Sequence, residues 1–455
     1  GGRIIAWADQ QAAVFGQFDV TPGTHSGAGG FVEVSSGRTL TFNGSVRAGV
    51  DKRTGTLLLD PKNITIGSGS DEISSAVFAT NESDNSTIAA STINSTLTAG
   101  TNVVLQANND ITVSNAITAN NLDNSVNSGN GGDLTLQAGR SLLVNANITT
   151  DNGALTLTAN DTGAVDAQRD PGAAVITMKS SGDGTLINTG TGTFTATIST
   201  KSTSGDITLD NVTAGALVIA NNGTTAGSDI LDSGVLTVSG TSSFTTAASD
   251  GVITLDSTNA LAGVVTLNTN SSGTSAHATL DNGTTALKIG ASTIGGNLAL
   301  TAGGNITDDG VLTVGGTSSF TADVNNMTIT FDENHALTGA ISITTTDNET
   351  TINNDADVSI TGMNSGLELK LGTLTIKGDL SITTASTVGI SDEGVLTIHG
   401  TSTFVTSTDN ATIDLGSENF FSGNANGTVD LSTQGTSGHV TLNVGDDADN
   451  NLWFA

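Results

Sequence analysis

The residues able to do chemistry in this chain are few, and their spacing suits chemistry poorly. Two carboxylate pairs stand out: Asp308-Asp309, and Asp446-Asp447 with Asp449 and Asn450 beside it. Carboxylates paired across a groove would serve acid–base cleavage of a glycosidic bond, and the oxygen-rich second cluster would suit calcium. Gly129-Asn130-Gly131-Gly132-Asp133 has the phrasing of a calcium nonapeptide. It occurs once, and such sites need tandem copies. The five histidines (His25, His277, His335, His399 and His439) lack His or Cys partners at metal-ligand spacing. There is no Cys, no nucleophile elbow and no phosphate-binding glycine loop. Thr-x-Thr runs such as 193–197 and 328–330 would suit an ice-binding face only if stacked at constant spacing. The apolar triplets that carry them recur at irregular intervals, which excludes that reading. Sixteen Asn-x-Ser/Thr sequons remain, among them Asn43, Asn63, Asn85, Asn211, Asn282, Asn305 and Asn426. The residues thus predict no catalytic set, no metal site and no cofactor.

Composition narrows the classes further. Of 455 residues 57 are Gly, only 3% are aromatic and 13% are charged, about half the usual charged share. Leu, Ile, Val and Phe make up roughly a quarter, just above the level below which disorder is expected. Net charge is −31, and six of the 13 basic residues fall in the first 62 positions. Phosphate neutralisation needs Lys/Arg clusters, so nucleic acid and anionic membrane surfaces are excluded as partners. No apolar run approaches the ~20 residues of a membrane helix. The opening Gly1-Gly2-Arg3-Ile4-Ile5 lacks a Met and a signal-peptide pattern, which predicts a mature protein or, in preference, an internal piece of a longer chain.

The elements that must position these residues are strands. Apolar, Thr, apolar is the recurring triplet, as in Leu134-Thr135-Leu136, Leu236-Thr237-Val238, Ile253-Thr254-Leu255, Leu312-Thr313-Val314, Leu396-Thr397-Ile398 and Val440-Thr441-Leu442. A period of two turns the aliphatic residues inward and Thr outward. Gly, Asn, Asp and Ser fill the gaps, as turns demand. No stretch carries a helical stripe over three turns, so the chain reads as all-β.

A longer period overlies the short one. The segment 232–244 (DSGVLTVSGTSSF) returns at 308–320 (DDGVLTVGGTSSF) and at 392–404 (DEGVLTIHGTSTF), 76 and 84 positions apart. Asp309 therefore aligns with Ser233 and Glu393, which marks it as a turn residue. Units of this length predict about four coils of roughly 20 residues, which bury their apolar faces only by stacking. The expected fold is a right-handed parallel β-helix, a rod about 110 Å long if coils lie ~4.8 Å apart. Three regions are expected: 1–66, 67–231 with irregular coils, and 232–455 with the long repeats. Neither Gly1–Trp7 nor Asn451–Ala455 has the polar character of a terminal cap. Both ends are therefore expected to continue into further coils or to meet neighbouring copies end to end.

Region 1–66 runs Gly1-Gly2-Arg3-Ile4-Ile5-Ala6-Trp7-Ala8-Asp9, then 27–36 (GAGGFVEVSS), 42–46 (FNGSV) and 54–66 (TGTLLLDPKNITI). In order and wording this block resembles the filamentous-haemagglutinin and high-molecular-weight-adhesin family, the large two-partner secretion exoproteins of Gram-negative bacteria. The resemblance implies a non-catalytic β-helical shaft, exported through an outer-membrane transporter of the Omp85 type. It implies a secreted or cell-surface location and adhesion to host-cell, carbohydrate or matrix surfaces. It also implies that sequons of the kind found here can carry sugar. The family's transport-recognition domain has no counterpart in these 455 residues. The rival class is a carbohydrate-binding or carbohydrate-active β-helix, a polysaccharide lyase or hydrolase. It is disfavoured by the scarcity of Lys and Arg beyond Lys62.

Overall fold

The computed structural model describes all residues except 24–26, 50–52, 69–84, 121–130, 179–186, 348–355, 365, 422–427 and 446–455. The chain divides into two compact units, Gly1–Gly240 and Thr241–Ala455. Both are stacks of parallel β-coils. In the first unit the strands Asn102–Ala107, Leu134–Ala138, Leu155–Ala159, Thr193–Ile198 and Ala216–Asn221 lie side by side in sequence order. Their register stacks Val103, Leu134, Leu155, Phe194 and Leu217 in one inner column and Leu105, Leu136, Leu157, Ala196 and Ile219 in the next. Every member of both columns is at most 1% exposed. Burying each such aliphatic side chain contributes about 1.5–3 kcal/mol, and no coil could do this alone. A second sheet runs through Ile111–Val113, Leu142–Val144, Ala174–Met178 and Ser204–Leu209. A third, of very short strands, runs through Ile117–Thr118, Ile148–Thr149, Ile187–Asn188 and Val212–Ala214.

The alternation read from the sequence holds strand by strand. Leu236 is fully buried while Thr237 is exposed, and the pattern recurs at Leu312-Thr313. Val440-Thr441-Leu442 departs from it, with Val440 45% exposed. Its strand, Val440–Val444, pairs with Thr412–Phe421, and among the described residues no strand covers its other edge.

The chain is nearly all-β, as the sequence predicts, with one short α-helix added. Residues Ala90–Thr98 form an α-helix with Ala90, Ile93 and Leu97 buried, together with Thr92 and Thr96. Its apolar stripe is two and a half turns long, below the three turns sought in the sequence. Its residues are poor helix formers apart from Ala and Leu, so packing against the neighbouring strands holds it rather than propensity.

The second unit refines the coil arithmetic. Pairings Ile253↔Ala278, Ala278↔Leu298 and Leu298↔Ser318 mark three successive coils in one sheet, the first longer than the two that follow. Ser242 lies in the opposite sheet, half a coil before Ile253. The step from Ser242 to Ser318, its equivalent in the next repeat, is therefore three and a half coils rather than four. The same holds from Ser318 through Ile341, Leu371 and Asp392 to Ser402. Successive repeats thus present the same motif on opposite faces. Phe244 and Phe404 point inward from one sheet and Phe320 from the other, all three fully buried. Each repeat advances about 17 Å along the stack at ~4.8 Å per coil.

Candidate functional site

Outward-facing residues stack in columns as strictly as the core does. In the first unit, register aligns Trp7 with Ser35 and Ser35 with Asp60. Leu59 pairs with Leu105, which brings Asp60 beside Gln106, and Gln106 pairs with Gln137 and Gln137 with Thr158. The column therefore reads Trp, Ser, Asp, Gln, Gln, Thr at one coil per step, with Ser35 buried and donating its hydroxyl to Glu33 at 3.1 Å. Gln106 Nε2 donates to Gln137 Oε1 at 2.7 Å, a ladder bond between adjacent coils. Above the column lies a recess of about 80 Å³, floored by Asp60, Gln106 and Gln137 and walled by Asp161, Gly163 and Ala164. Burial, and then the charge of Glu33 one coil away, push the Asp60 carboxyl up to about 6. The two effects reinforce each other because both disfavour the anion.

The wall belongs to segment 160–173, which connects Leu155–Ala159 to Ala174–Met178 and includes the 3-10 turn Asp166–Gln168. Four of this unit's ten basic residues hold it down. Arg140 grips Asp110 through Nε and Nη2 and donates from Nη1 to the Pro171 carbonyl at 2.9 Å. Arg169 Nε donates to the Gly139 carbonyl at 2.8 Å. Lys201 bonds the carbonyls of Thr162 and Ala164 and pairs with Asp166 at 3.1 Å. Asn109 Nδ2 donates to Asp170 at 2.9 Å, and Lys62 lies 3.8 Å from the same carboxylate. Asn108 Oδ1 accepts the Val165 N–H at 2.8 Å. These bonds make the segment a fixed wall for the recess.

In the second unit the carboxylate pair Asp308-Asp309 comes apart into two roles. Asp309 makes an exposed ion pair with Lys288 at 2.7 Å, and its counterpart Glu393 pairs with Lys370 at 3.0 Å. Ser233, the third member, has no charge and bonds the Leu209 carbonyl through its hydroxyl. Asp308 is more than a turn residue: its carboxylate is 2% exposed and accepts the N–H groups of Asp332 and Glu333. His335 Nε2 lies 2.9 Å from Asp308 Oδ2, close but off the N–H axis of an ideal hydrogen bond. His335 Nδ1 accepts the Leu312 N–H at 3.0 Å, and the ring meets Phe331 edge-on at 5.6 Å between centroids. One repeat later Asn419 takes the same place. Its Nδ2 donates to Asp392 at 2.7 Å and its Oδ1 accepts the Leu396 N–H at 2.9 Å. The histidine thus performs the work of an amide. Spacing between histidines could not show this, but aligning Asn259, His335 and Asn419 across the three repeats would have. His399, which the repeats mark as a surface variant, is half-buried and shares a 3.0 Å contact with Lys377 Nζ.

The sequons scatter over both units. Asn85 and Asn305 are exposed, and Asn43, Asn63 and Asn211 are half-buried. Asn282 is fully buried, its amide bonded to Leu261 and to the Ala286 carbonyl, so the folded protein has no room for a glycan there. A turn Asn followed by Gly and Thr satisfies backbone groups just as readily as it makes a sequon. Asn426, His25, Gly129-Asn130 and the Asp446–Asn450 cluster lie outside the described residues. Among the described residues no group of three His, Cys, Asp or Glu is placed to hold a metal ion, and no helix is long and apolar enough to cross a membrane.

Residues 200–268, 275–344 and 355–428 match a family described as repeats of unknown function (DUF5649). The matched segments begin at positions 200, 275 and 355, a spacing close to that of the motif copies. No curated protein matches the chain.

Proposed function

We propose that this chain is a non-catalytic shaft segment of a secreted bacterial surface protein that carries adhesive contacts on its outer faces. The observation that carries the reading is the column packing. The interior is closed by aliphatic side chains, so what one coil offers a partner is its outward column of Thr, Ser, Asn and Gln. Repeats of three and a half coils extend such a surface without new design, because each repeat supplies the interface its neighbour needs. The resemblance of segment 1–66 to two-partner secretion exoproteins supports export through an outer-membrane transporter and display on a Gram-negative cell. The absence of Cys fits a chain that must stay unlocked during passage through an oxidising compartment.

The carbohydrate-active alternative has one observation in its favour, the Asp60 carboxyl raised to about 6, which is the range of a general acid. A glycosidase needs a second carboxylate acting with the first. Asp161, across the recess, is not among the charges that raise Asp60. The reading is tested by deleting, in the producing cell, the gene for an outer-membrane transporter of the Omp85 type and probing intact cells with antibody. Loss of surface signal is expected; undiminished display would refute the export route. Beads coated with the 455-residue chain should adhere to epithelial cells or matrix, and beads no stickier than albumin controls would refute adhesion.

A further inference from the structure

We propose that the recess over Asp60, Gln106 and Gln137 binds one residue of a neutral saccharide, and that Trp7, two coils away, stacks against a further residue of the chain. The proposal rests on the adhesive part of the reading above and names its ligand class.

The recess has convergent hydrogen-bonding groups with unused capacity. Among the described residues the Asp60 carboxylate accepts no hydrogen bond from the protein; the groups that act on it are burial and the charge of Glu33. A half-buried carboxylate without donors is an acceptor waiting for hydroxyl groups. Gln106 and Gln137 share a single amide–amide bond, which leaves one carbonyl oxygen and one NH₂ group for a ligand. Two acceptors and a donor pair on adjacent coils, about 4.8 Å apart, match the alternating donor and acceptor character of sugar hydroxyls. A recess of about 80 Å³ holds roughly five waters, and the edge of a pyranose ring can displace them. The wall is fixed by Arg140, Arg169 and Lys201 through the bonds given above, so little ordering is required on binding.

The ligand class follows from charge and from the neighbours. Asp60 and Asp161 line the site and the charge of Glu33 reaches it, in a chain of net charge −31, which repels uronic or sulfated sugars. A cation would need several free carboxylate oxygens together. Asp161 already accepts the Gly163 N–H through Oδ1 at 2.7 Å, and it does not act on Asp60. Two coils from Asp60 in the same column, Trp7 is 62% exposed. An exposed indole about 10 Å from a polar recess is a stacking platform for a second or third sugar, with its apolar face available and its N–H free to bond. Thr158 continues the column at the other end.

The test uses the whole 455-residue chain and four trisaccharides: maltotriose, cellotriose, mannotriose and β-1,4-galactotriose. Saturation-transfer NMR and calorimetry should show at least one binding with a Kd below about 5 mM. Asp60→Asn and Gln106→Ala should each weaken it at least about tenfold. Trp7→Ala should weaken the trisaccharide but leave the matching monosaccharide unchanged. All three positions face outward, and unchanged circular dichroism with a melting temperature no lower than wild type would show that each variant folds. No binding of any of the four at about 20 mM, or equal binding by Asp60→Asn and wild type, would overturn the proposal. Calcium alone binding at the recess, detected by calorimetry and abolished in Asp60→Asn, would overturn it in favour of a cation. Surface display and cell adhesion read the broader proposal independently, so a sugar-blind protein that still adheres would sink only this inference.

Discussion

Replacing His335 by Asn should leave the protein nearly as stable as wild type at pH 7.5 and make it the more stable of the two at pH 5. In the folded chain His335 is neutral, with Nδ1 accepting the Leu312 N–H at 3.0 Å. A proton on Nδ1 would face that N–H donor to donor. Burial depresses the imidazole below its ordinary value, outweighing the opposite pull of Asp308, then Glu333 and Asp332. The unfolded chain takes up a proton near pH 6.5 that the folded chain takes up only at lower pH. Stability is therefore fully present above about pH 6.5 and falls as pH drops through the interval down to the folded value. One proton changes stability by at most about 1.4 kcal/mol per pH unit, or about 3–6 °C in melting temperature for a domain of this size. The introduced amide would reproduce the geometry of Asn419 and lose only the ring contact with Phe331, about 1 kcal/mol. Scanning calorimetry of both proteins from pH 5 to 8 reads the difference, in which the shared carboxylates cancel. A gap that stays flat across that range would refute the reasoning. His335→Leu should cost about 1–3 kcal/mol at neutral pH, because it strands the Leu312 N–H, while Asp308 keeps the N–H groups of Asp332 and Glu333.

Asp60→Asn should stabilise the protein at pH 8 and not at pH 4. A carboxyl raised to about 6 in the fold contributes stability that is present below its unfolded value and lost as pH rises through about 6; equal melting shifts at both pH values would count against it. Ser242, Ser318 and Ser402, equivalent in the three repeats, are at most 1% exposed, and among the described residues none of their hydroxyls has a hydrogen-bond partner. Ser318→Ala should therefore be neutral or stabilising by up to about 1 kcal/mol, and a loss above about 1 kcal/mol in urea unfolding would show a hidden partner. Leu236→Asp should cost several kcal/mol by burying an unpaired carboxylate, while Thr237→Ser should cost under about 1 kcal/mol. Similar thermal shifts for the two would mean that the inward and outward assignments are reversed.

Strand period, repeat spacing and the inward set were legible in the amino-acid order because each depends on neighbours close along the chain or on plain repetition. Apolar-Thr-apolar alternation decides which side chains face the core whichever coil lies above. That is why Leu236, Leu312 and Leu396 are all buried as expected. The sequence also limits the chemistry, since a chain without Cys can form no disulfide. What it left open are quantities set by coil length. A shorter and a longer coil look alike locally, so only stacking showed that a repeat is three and a half coils and that its faces alternate. The helix Ala90–Thr98 escaped notice because its packing rather than its propensity makes it fold. Column neighbours are likewise invisible in order: Trp7, Ser35, Asp60, Gln106 and Gln137 each come from a different coil. Asp308 and His335 meet for the same reason. In a stacked coil the chain returns to the same place after each turn, so distant residues become nearest neighbours, and coil lengths decide which ones.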